Sequence, residues 1–345
     1  MTKTKKKQRI EYIDALKAFA IFCVLWGHSL QYLKNGYDFF HNPMFEFIYS
    51  FHMFLFFLIS GFFFSSSLKL KFKDFLYKKS IQLLLPCVIW AMIFSVMIFS
   101  YTIVYMNEPF SYTEELKSIL FPTGWPWFLR ELFISYLIVY ISLKLLKKDW
   151  LACLLSLGFV LIAPYCDTQR VFLPMFWAGV YMKNNYPFIS KYAKQILIMS
   201  GAIFAICLLF WDGNYTIYVT EFPKILEIKT LSFNFANIDI SFFRLLIGFC
   251  GSLFWFILFE RIYKNNKFFA CLGKIGANTI AIYLLQTLIL EYIINRKIDF
   301  PNMNTWTYSL IITPLISLAV LGFCMIIISF VKKNKYIELL LFGKK

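Results

Sequence analysis

The 345-residue sequence predicts an all-α integral membrane protein of about ten transmembrane helices, with N- and C-termini cytoplasmic. Three observations predict it. Sixty per cent of the residues are hydrophobic and the mean hydropathy is +0.65, whereas a soluble chain is nearer half apolar. The apolar residues gather in runs of about twenty, the length a helix needs to cross the hydrocarbon core. Lysine and arginine are also shared unevenly between alternate connections. With the N-terminus inside, the inside connections hold 25 and the outside ones 7, which is the positive-inside pattern.

The segments follow in order. The first is about 13–33, the second 44–66 and the third 80–106. The fourth covers 126–146, the fifth 149–164 and the sixth, short, 170–183. The seventh is 195–211, the eighth 238–260, the ninth 275–295 and the tenth 305–331. Ser60 and Gly61 near the end of the second let a neighbouring helix approach closely. The outside connection 107–125 carries Glu108, Glu114 and Glu115 and ends in Trp125, with Trp127 two residues on, as an aromatic belt would. No strand alternation of the barrel kind appears. The domain plan is a basic N-terminus (1–12), one transmembrane domain (13–331) and a basic tail (332–345). No further domain is expected after the tenth helix, so a partner acting outside is expected to be a separate chain.

Charge and cysteine exclude several classes. A net charge of +16 would suggest nucleic acid in a soluble protein; here the inside lysines account for it, and no nucleic-acid partner is expected. The lysine cluster 69–79 suits contact with anionic membrane lipid. The start MTKTKKKQR is basic and precedes an apolar run, yet that run is long, holds Lys17 and His28 and has no small-x-small site, so it reads as a retained helix. The eight cysteines include no CxxC and mostly read as small packing residues. His28, His41 and His52 make no metal-ligand pattern, and no metal is expected.

Chemistry concentrates in Arg9–Leu33, an apolar helix that nevertheless carries Asp14, Lys17 and His28. Ionisable groups in such a helix are costly and point to function. Eleven residues separate Lys17 from His28. That is about three whole turns, so both share one face, with backbones roughly 16 Å apart. They can line two levels of one channel. A neutral imidazole can take a proton from a hydroxyl, although His28 reads equally well as a packing histidine. His52 sits in the second segment. Lys79 stands at the membrane edge of the basic connection, suited to an anionic donor. Arg130, Glu131 and Arg244 lie near the outer side, suited to a polar acceptor such as a sugar; a cross-helix ion pair between Arg244 and Glu131 explains them as well. Thr279, Tyr283 and Gln286 form a polar stripe at i, i+4, i+7.

Several stretches, in order, resemble the acyltransferase-3 family of integral-membrane O-acyltransferases. RIEYIDALKAFAIFCVLWGH is similar to its opening helix, with the basic-x10-His element at Lys17 and His28. FHMFLFFLISGFFF is similar to its second helix, ending Ser60-Gly61-Phe62. KKSIQLLLP resembles the basic pair before the third-helix proline, here Pro86; WPWFLRELF resembles a middle helix opening on Trp127-Phe128-Leu129; and NTIAIYLLQ resembles the late Tyr-Leu helix. Two positions depart from the family. Lys79 and Gln82 replace an Arg-x-x-Arg pair, losing bidentate geometry at one and charge at the other. Gln286 stands where the family often has His.

The resemblance implies acyl transfer, often of acetyl, from cytoplasmic acyl-CoA to a hydroxyl of an envelope or exported polysaccharide or lipid-linked sugar. It also implies a cell membrane location, bacterial plasma membrane, and glycan-synthesis proteins as partners. His28 and Asp14 are then the catalytic candidates, with His28 either a general base or a transient acyl carrier. Lys17, Lys79 and Gln82 are the candidates for holding acyl-CoA. His52, Arg130, Glu131, Arg244, Tyr283 and Gln286 are those for binding substrate. Succinyl instead of acetyl, and a role as a polysaccharide or lipid exporter or a non-catalytic membrane partner, stay open at this level.

Overall fold

The computed structural model describes residues 11–101, 111, 113, 126–146, 148–227, 231–295, 298–300 and 303–344. The basic stretch 1–10, most of the connection 107–125 with Glu108, Glu114, Glu115 and Trp125, and Lys147, Lys229, Arg296, Lys297 and Lys345 lie outside the described residues. The protein is all-α, about 79% helical, with one two-residue strand pair, Leu226–Glu227 (β1) and Ser232–Phe233 (β2).

The helices begin with α1 (Glu11–Tyr32), α2 (Pro43–Tyr49), α3 (His52–Phe62) and α4 (Ser65–Leu68). A continuous rod follows, made of α5 (Phe72–Lys79), a π-helical turn Ser80–Leu84 and α6 (Leu85–Tyr101). Next come α7 (Trp127–Leu145), α8 (Asp149–Ile162), α9 (Asp167–Asn184), α10 (Tyr186–Lys191) and α11 (Ala193–Leu208). The rest are α12 (Ile238–Ile262), α13 (Lys267–Gly276), α14 (Thr279–Thr287), α15 (Thr305–Thr307), α16 (Thr313–Val331) and α17 (Lys335–Phe342). π-Helical turns extend α14 over Leu288–Ile294 and join α15 to α16 over Tyr308–Ile312.

Among the described residues, five helical runs are long and apolar enough to cross a membrane: 11–32, 43–68, 72–99, 238–262 and 305–331. A sixth is added if α13 and the α14 run, bent by 65°, are one span. The other apolar segments are helical but shorter or more charged. The α8 and α11 helices have 14 and 16 residues, and α7 carries Arg130, Glu131 and Lys144. The ninth segment therefore differs from a single straight helix. Its bend falls where Gly276, Ala277 and Asn278 interrupt the helix, a glycine and an asparagine being ordinary helix-stop residues.

The chain forms two compact units. The first comprises residues 1–59, 185–216 and 242–325. Here α1 packs against α2, α13 and α14. Its polar bonds run to the α15–α16 segment: Trp26 Nε1 donates to the Ser309 carbonyl (2.9 Å) and Thr313 Oγ1 (3.0 Å). Tyr308 Oη donates to the carbonyls of Ser29 and Leu30 at 3.1 and 3.0 Å. An aromatic layer joins Phe19 to Trp255 of α12, ring centroids 4.4 Å apart. The α2 helix starts where it does because Asn42 accepts from the amides of Met44 and Phe45 and Pro43 occupies the first turn.

The second unit comprises residues 60–184, 217–241 and 326–345. There α7, α8 and α9 pack on one another, α7 meets the π-helical turn, and α17 lies on α6. Gly61 faces the backbone of Phe176 so closely that a Cβ would lie 2.8 Å from the Phe176 carbonyl carbon. The Ser60-Gly61 step thus allows the close helix approach its small residues suggest.

Candidate active site

The first unit gathers His28, Gln286, Tyr283, His52, Asp14, Lys17 and Arg244, and the second holds Lys79, Gln82, Arg130 and Glu131. Each group is considered within its own unit.

His28 is half-buried on α1, its ring edge-on to Tyr32 with centroids 5.8 Å apart. Across from it, α14 presents Gln286, which is fully buried. The Gln286 amide nitrogen lies 3.0 Å from His28 Nδ1, 2.7 Å from Thr287 Oγ1 and 3.3 Å from the Tyr283 carbonyl. Tyr283 is itself buried one turn earlier. The polar stripe read from α14 therefore delivers one residue, Gln286, directly to the candidate base.

His52, buried at the start of α3, has Nδ1 2.7 Å from the Ile48 carbonyl. A carbonyl only accepts, so Nδ1 carries the proton and Nε2 keeps its lone pair. Tyr49 stacks edge-on to His52 at 4.7 Å, and the same ring fills the notch at Gly27, where a Cβ would lie 2.7 Å from it. One tyrosine thus spans from His52 to the residue before His28.

Lys17 and Asp14 share the start of α1, with Nζ 2.6 Å from Oδ1; Asp14 is buried and Lys17 partly exposed. Arg244, 1% exposed on α12, donates from Nε to the Tyr215 carbonyl (2.6 Å) and from Nη2 to the Thr216 carbonyl (3.5 Å). It fastens a connection to a helix. In the 3₁₀ turn Phe39–His41, His41 Nδ1 lies 2.6 Å from Asp38 Oδ2, while its Nε2 lies 3.1 Å from Asn214 Nδ2 and 3.9 Å from Asp212 Oδ1. The bond from Asp38 holds the His41 imidazole above its ordinary value, and the same bond holds the Asp38 carboxyl below its own.

In the second unit Lys79 is buried at the end of α5, its ammonium 3.4 Å from the centroid of the Tyr136 ring, a cation–π contact. Gln82 lies in the following π-helical turn. The α17 helix folds back onto α6, with Trp90 Nε1 donating to the Leu341 carbonyl at 2.9 Å, and Gly343 just past it meets the backbone of Ile81 and Gln82 in that turn. Arg130 and Glu131, neighbours on α7 whose side chains leave the helix in different directions, nonetheless pair, Nη2 to Oε1 at 2.7 Å. Gln169 donates to the other oxygen of Glu131 at 2.6 Å and accepts from Ser135 at 2.8 Å.

Arg170, at the start of the sixth apolar segment, is 2% exposed within α9. It donates to the carbonyls of Val160, Ala163 and Phe222 and pairs with Asp167. The last turn of α8 leaves carbonyls without helical partners, and Arg170 satisfies two of them. Gln169 and Tyr136 went unnoticed in the sequence. The Gln169-Arg170 pair ahead of an apolar run was a usable signal; a tyrosine among 21 was not.

Among the described residues no group of three or more His, Cys, Asp or Glu is arranged to hold a metal ion. What the first unit can do chemically is present an imidazole, held through one ring nitrogen, along the same helix as a partly exposed ammonium.

Two curated relatives match part of the chain. Nodulation protein NolL of Mesorhizobium japonicum is 42% identical over 80 residues, covering 22% of this chain and 21% of that protein. Nodulation protein NolL of Sinorhizobium fredii is 38% identical over 80 residues, 22% of each. The chain therefore matches only about a fifth of the length of these curated relatives. No solved structure matches. The profile of the acyltransferase domain family, in contrast, matches residues 10–332, nearly the whole chain and all of the helices from α1 through α16. With the apolar helical runs, that makes this a multi-pass membrane protein that belongs to the acyltransferase-3 family.

Proposed function

We propose that this protein is a membrane O-acyltransferase. It moves an acyl group, acetyl in the first instance, from cytoplasmic acyl-CoA to a hydroxyl of an envelope or exported polysaccharide or lipid-linked sugar. The observation that carries the reading is the part-buried Gln286–His28 contact on a helix that resembles the family's basic-x10-His helix. An amide holding one nitrogen of an imidazole is how a histidine is aimed for proton transfer.

In this reading the chain crosses the bacterial plasma membrane ten times, both ends in the cytoplasm, as the charge bias supports. By the family resemblance, Lys17 in the first unit, and Lys79 with Gln82 beside it in the second, are the candidates for the anionic phosphates of CoA. The pantetheine arm lies along the channel and brings the thioester to His28. His28 Nε2 takes the acceptor's hydroxyl proton as its oxygen bonds to the thioester carbon. The tetrahedral intermediate collapses, the C–S bond breaks, and the departing thiolate takes the proton from the imidazolium. Asp14 steadies Lys17, and His52, Tyr283, Arg130, Glu131 and Arg244 shape the acceptor side.

The test is NMR of envelope glycan from cells with the wild-type chain, with His28→Ala, and without the gene. An O-acyl signal should be present only with wild type, while His28→Ala protein remains in the membrane. Near-normal acylation by His28→Ala would sink the assignment. Binding of acetyl-CoA by the purified protein separates the enzyme from an exporter, which should not bind it.

A further inference from the structure

The Gln286–His28 contact carries a consequence for how the base works, and it rests on the reading of His28 as the base. A neutral imidazole has one N–H and one lone pair. Nδ1 faces Gln286, so Nε2 is the nitrogen left to meet a hydroxyl. If Nδ1 accepts from the amide NH2, the ring proton sits on Nε2, and that nitrogen cannot take another. If the amide carbonyl accepts from Nδ1–H, Nε2 carries the lone pair. The two cases differ by a half-turn of the Gln286 amide, which exchanges nitrogen and oxygen in nearly the same volume.

The surroundings of Gln286 bear on the choice. With the nitrogen toward His28, two hydrogens face three partners: His28 Nδ1, Thr287 Oγ1 and the Tyr283 carbonyl. Oε1 is then buried with no hydrogen-bond partner among the described residues. Turned over, Oε1 accepts from His28 Nδ1–H and from the Thr287 hydroxyl, at the cost of lying 3.3 Å from the Tyr283 carbonyl oxygen. The NH2 then takes the buried place of Oε1, so it is the role of His28 as base, which needs the lone pair on Nε2, that selects this orientation.

We propose that Gln286 is a positioning residue: its side-chain carbonyl holds His28 in the Nδ1–H form and leaves Nε2 as the base. His52 shows the same arrangement without ambiguity, because its Nδ1 meets a backbone carbonyl.

The chain has three histidines, so protein labelled with ¹⁵N-histidine gives three imidazole signal sets. The His28→Ala variant identifies the set from His28. The expected result for wild type in lipid nanodiscs, above the pH where the ring is charged, is a protonated Nδ1 and a lone pair on Nε2. A lone pair on Nδ1 overturns the proposal. Gln286→Leu should shift His28 toward the Nε2–H form and lower kcat by up to the roughly 10²- to 10⁴-fold that a positioned general base contributes, with KM for acyl-CoA unchanged. Gln286→Glu should restore Nδ1–H and most of kcat. A Leu variant with unchanged kcat, or Leu and Glu variants equally impaired with the wild-type ring form, overturns it. Full acylation by His28→Ala would overturn both the function reading and this inference, whereas the ring signals alone can overturn the inference and leave the function reading standing.

Discussion

Gly276 of α13 stands against the backbone of Asp14 on α1: a Cβ at Gly276 would overlap the Asp14 carbonyl oxygen and lie 2.6 Å from its carbon. The obstacle is backbone, so no side-chain rotation relieves it. Gly276→Ala should therefore cost at or above the top of the usual overpacking range of about 1–3 kcal/mol. Thermal unfolding in detergent, followed by size-exclusion fluorescence, reads it directly. An alanine variant as stable as wild type would mean that α13 does not press on α1 at this point.

Lys17 and Asp14 lie beside that contact and are joined at 2.6 Å. If Lys17 binds donor phosphate, Lys17→Gln removes a charge-assisted hydrogen bond worth about 1.5–3 kcal/mol. That corresponds to roughly a 10- to 100-fold rise in KM for acyl-CoA, with kcat little changed. Asp14→Asn separates the roles. It leaves Lys17 charged, so KM should hold or fall; a drop in kcat would mean that Asp14 takes part in the chemistry. Two variants with identical kinetics would mean that Lys17 serves only to pair with Asp14.

Gly343 closes α17 with a φ of +63°, and a Cβ there would lie 2.7 Å from the Gln82 carbonyl and 2.9 Å from its Cα. Left-handed backbone and lack of space both demand glycine. Gly343→Val should displace α17 from the π-helical turn that carries Gln82. Trypsin cleavage at the lysines around α17 should then be faster, and acetyl-CoA binding weaker, while Trp90→Phe, which loses only the bond to Leu341, should show a smaller version of both. Unchanged cleavage of Gly343→Val would show that α17 stays seated despite the strain.

Much of this was legible in the sequence where physics acts locally. Asp14, Lys17 and His28 stand out because ionisable groups in an apolar run are rare. The helices stand out because hydropathy and charge bias report on the same lengths of chain. Contacts between distant residues were not legible. Gln286 is 258 positions from His28, and nothing in the i, i+4, i+7 stripe says which neighbour it meets. The bonds of Arg170 to carbonyls at the end of α8 were not legible either, because they depend on how α9 returns. Lys79 stands out in the sequence as the last cation of a basic connection. The aromatic face beneath it does not, since Tyr136 lies 57 residues away in a chain rich in aromatics.

His41 should make the connection after α1 sensitive to pH. Its imidazole bonds Asp38 on one side and meets Asn214 and Asp212 on the other, joining residues 38–41 to the 3₁₀ turn Gly213–Tyr215. The aspartate raises the pKa of His41, so its contribution is complete below the ordinary histidine value of about 6.5 and is lost as pH rises through the raised value. The histidine lowers the pKa of Asp38, so that contribution is complete above the ordinary aspartate value of about 3.9 and is lost as pH falls through the lowered value. Both are present together between those ordinary values. Both side chains are exposed, so solvent screening keeps the effect local. Hydrogen exchange corrected for intrinsic rate should show residues 38–42 and 213–215 more protected at pH 5.5 than at pH 8.5, with the difference shrinking at high salt. Asp38→Asn and His41→Ala should each remove the pH dependence, and wild-type protection that stays flat across that range would rule the link out.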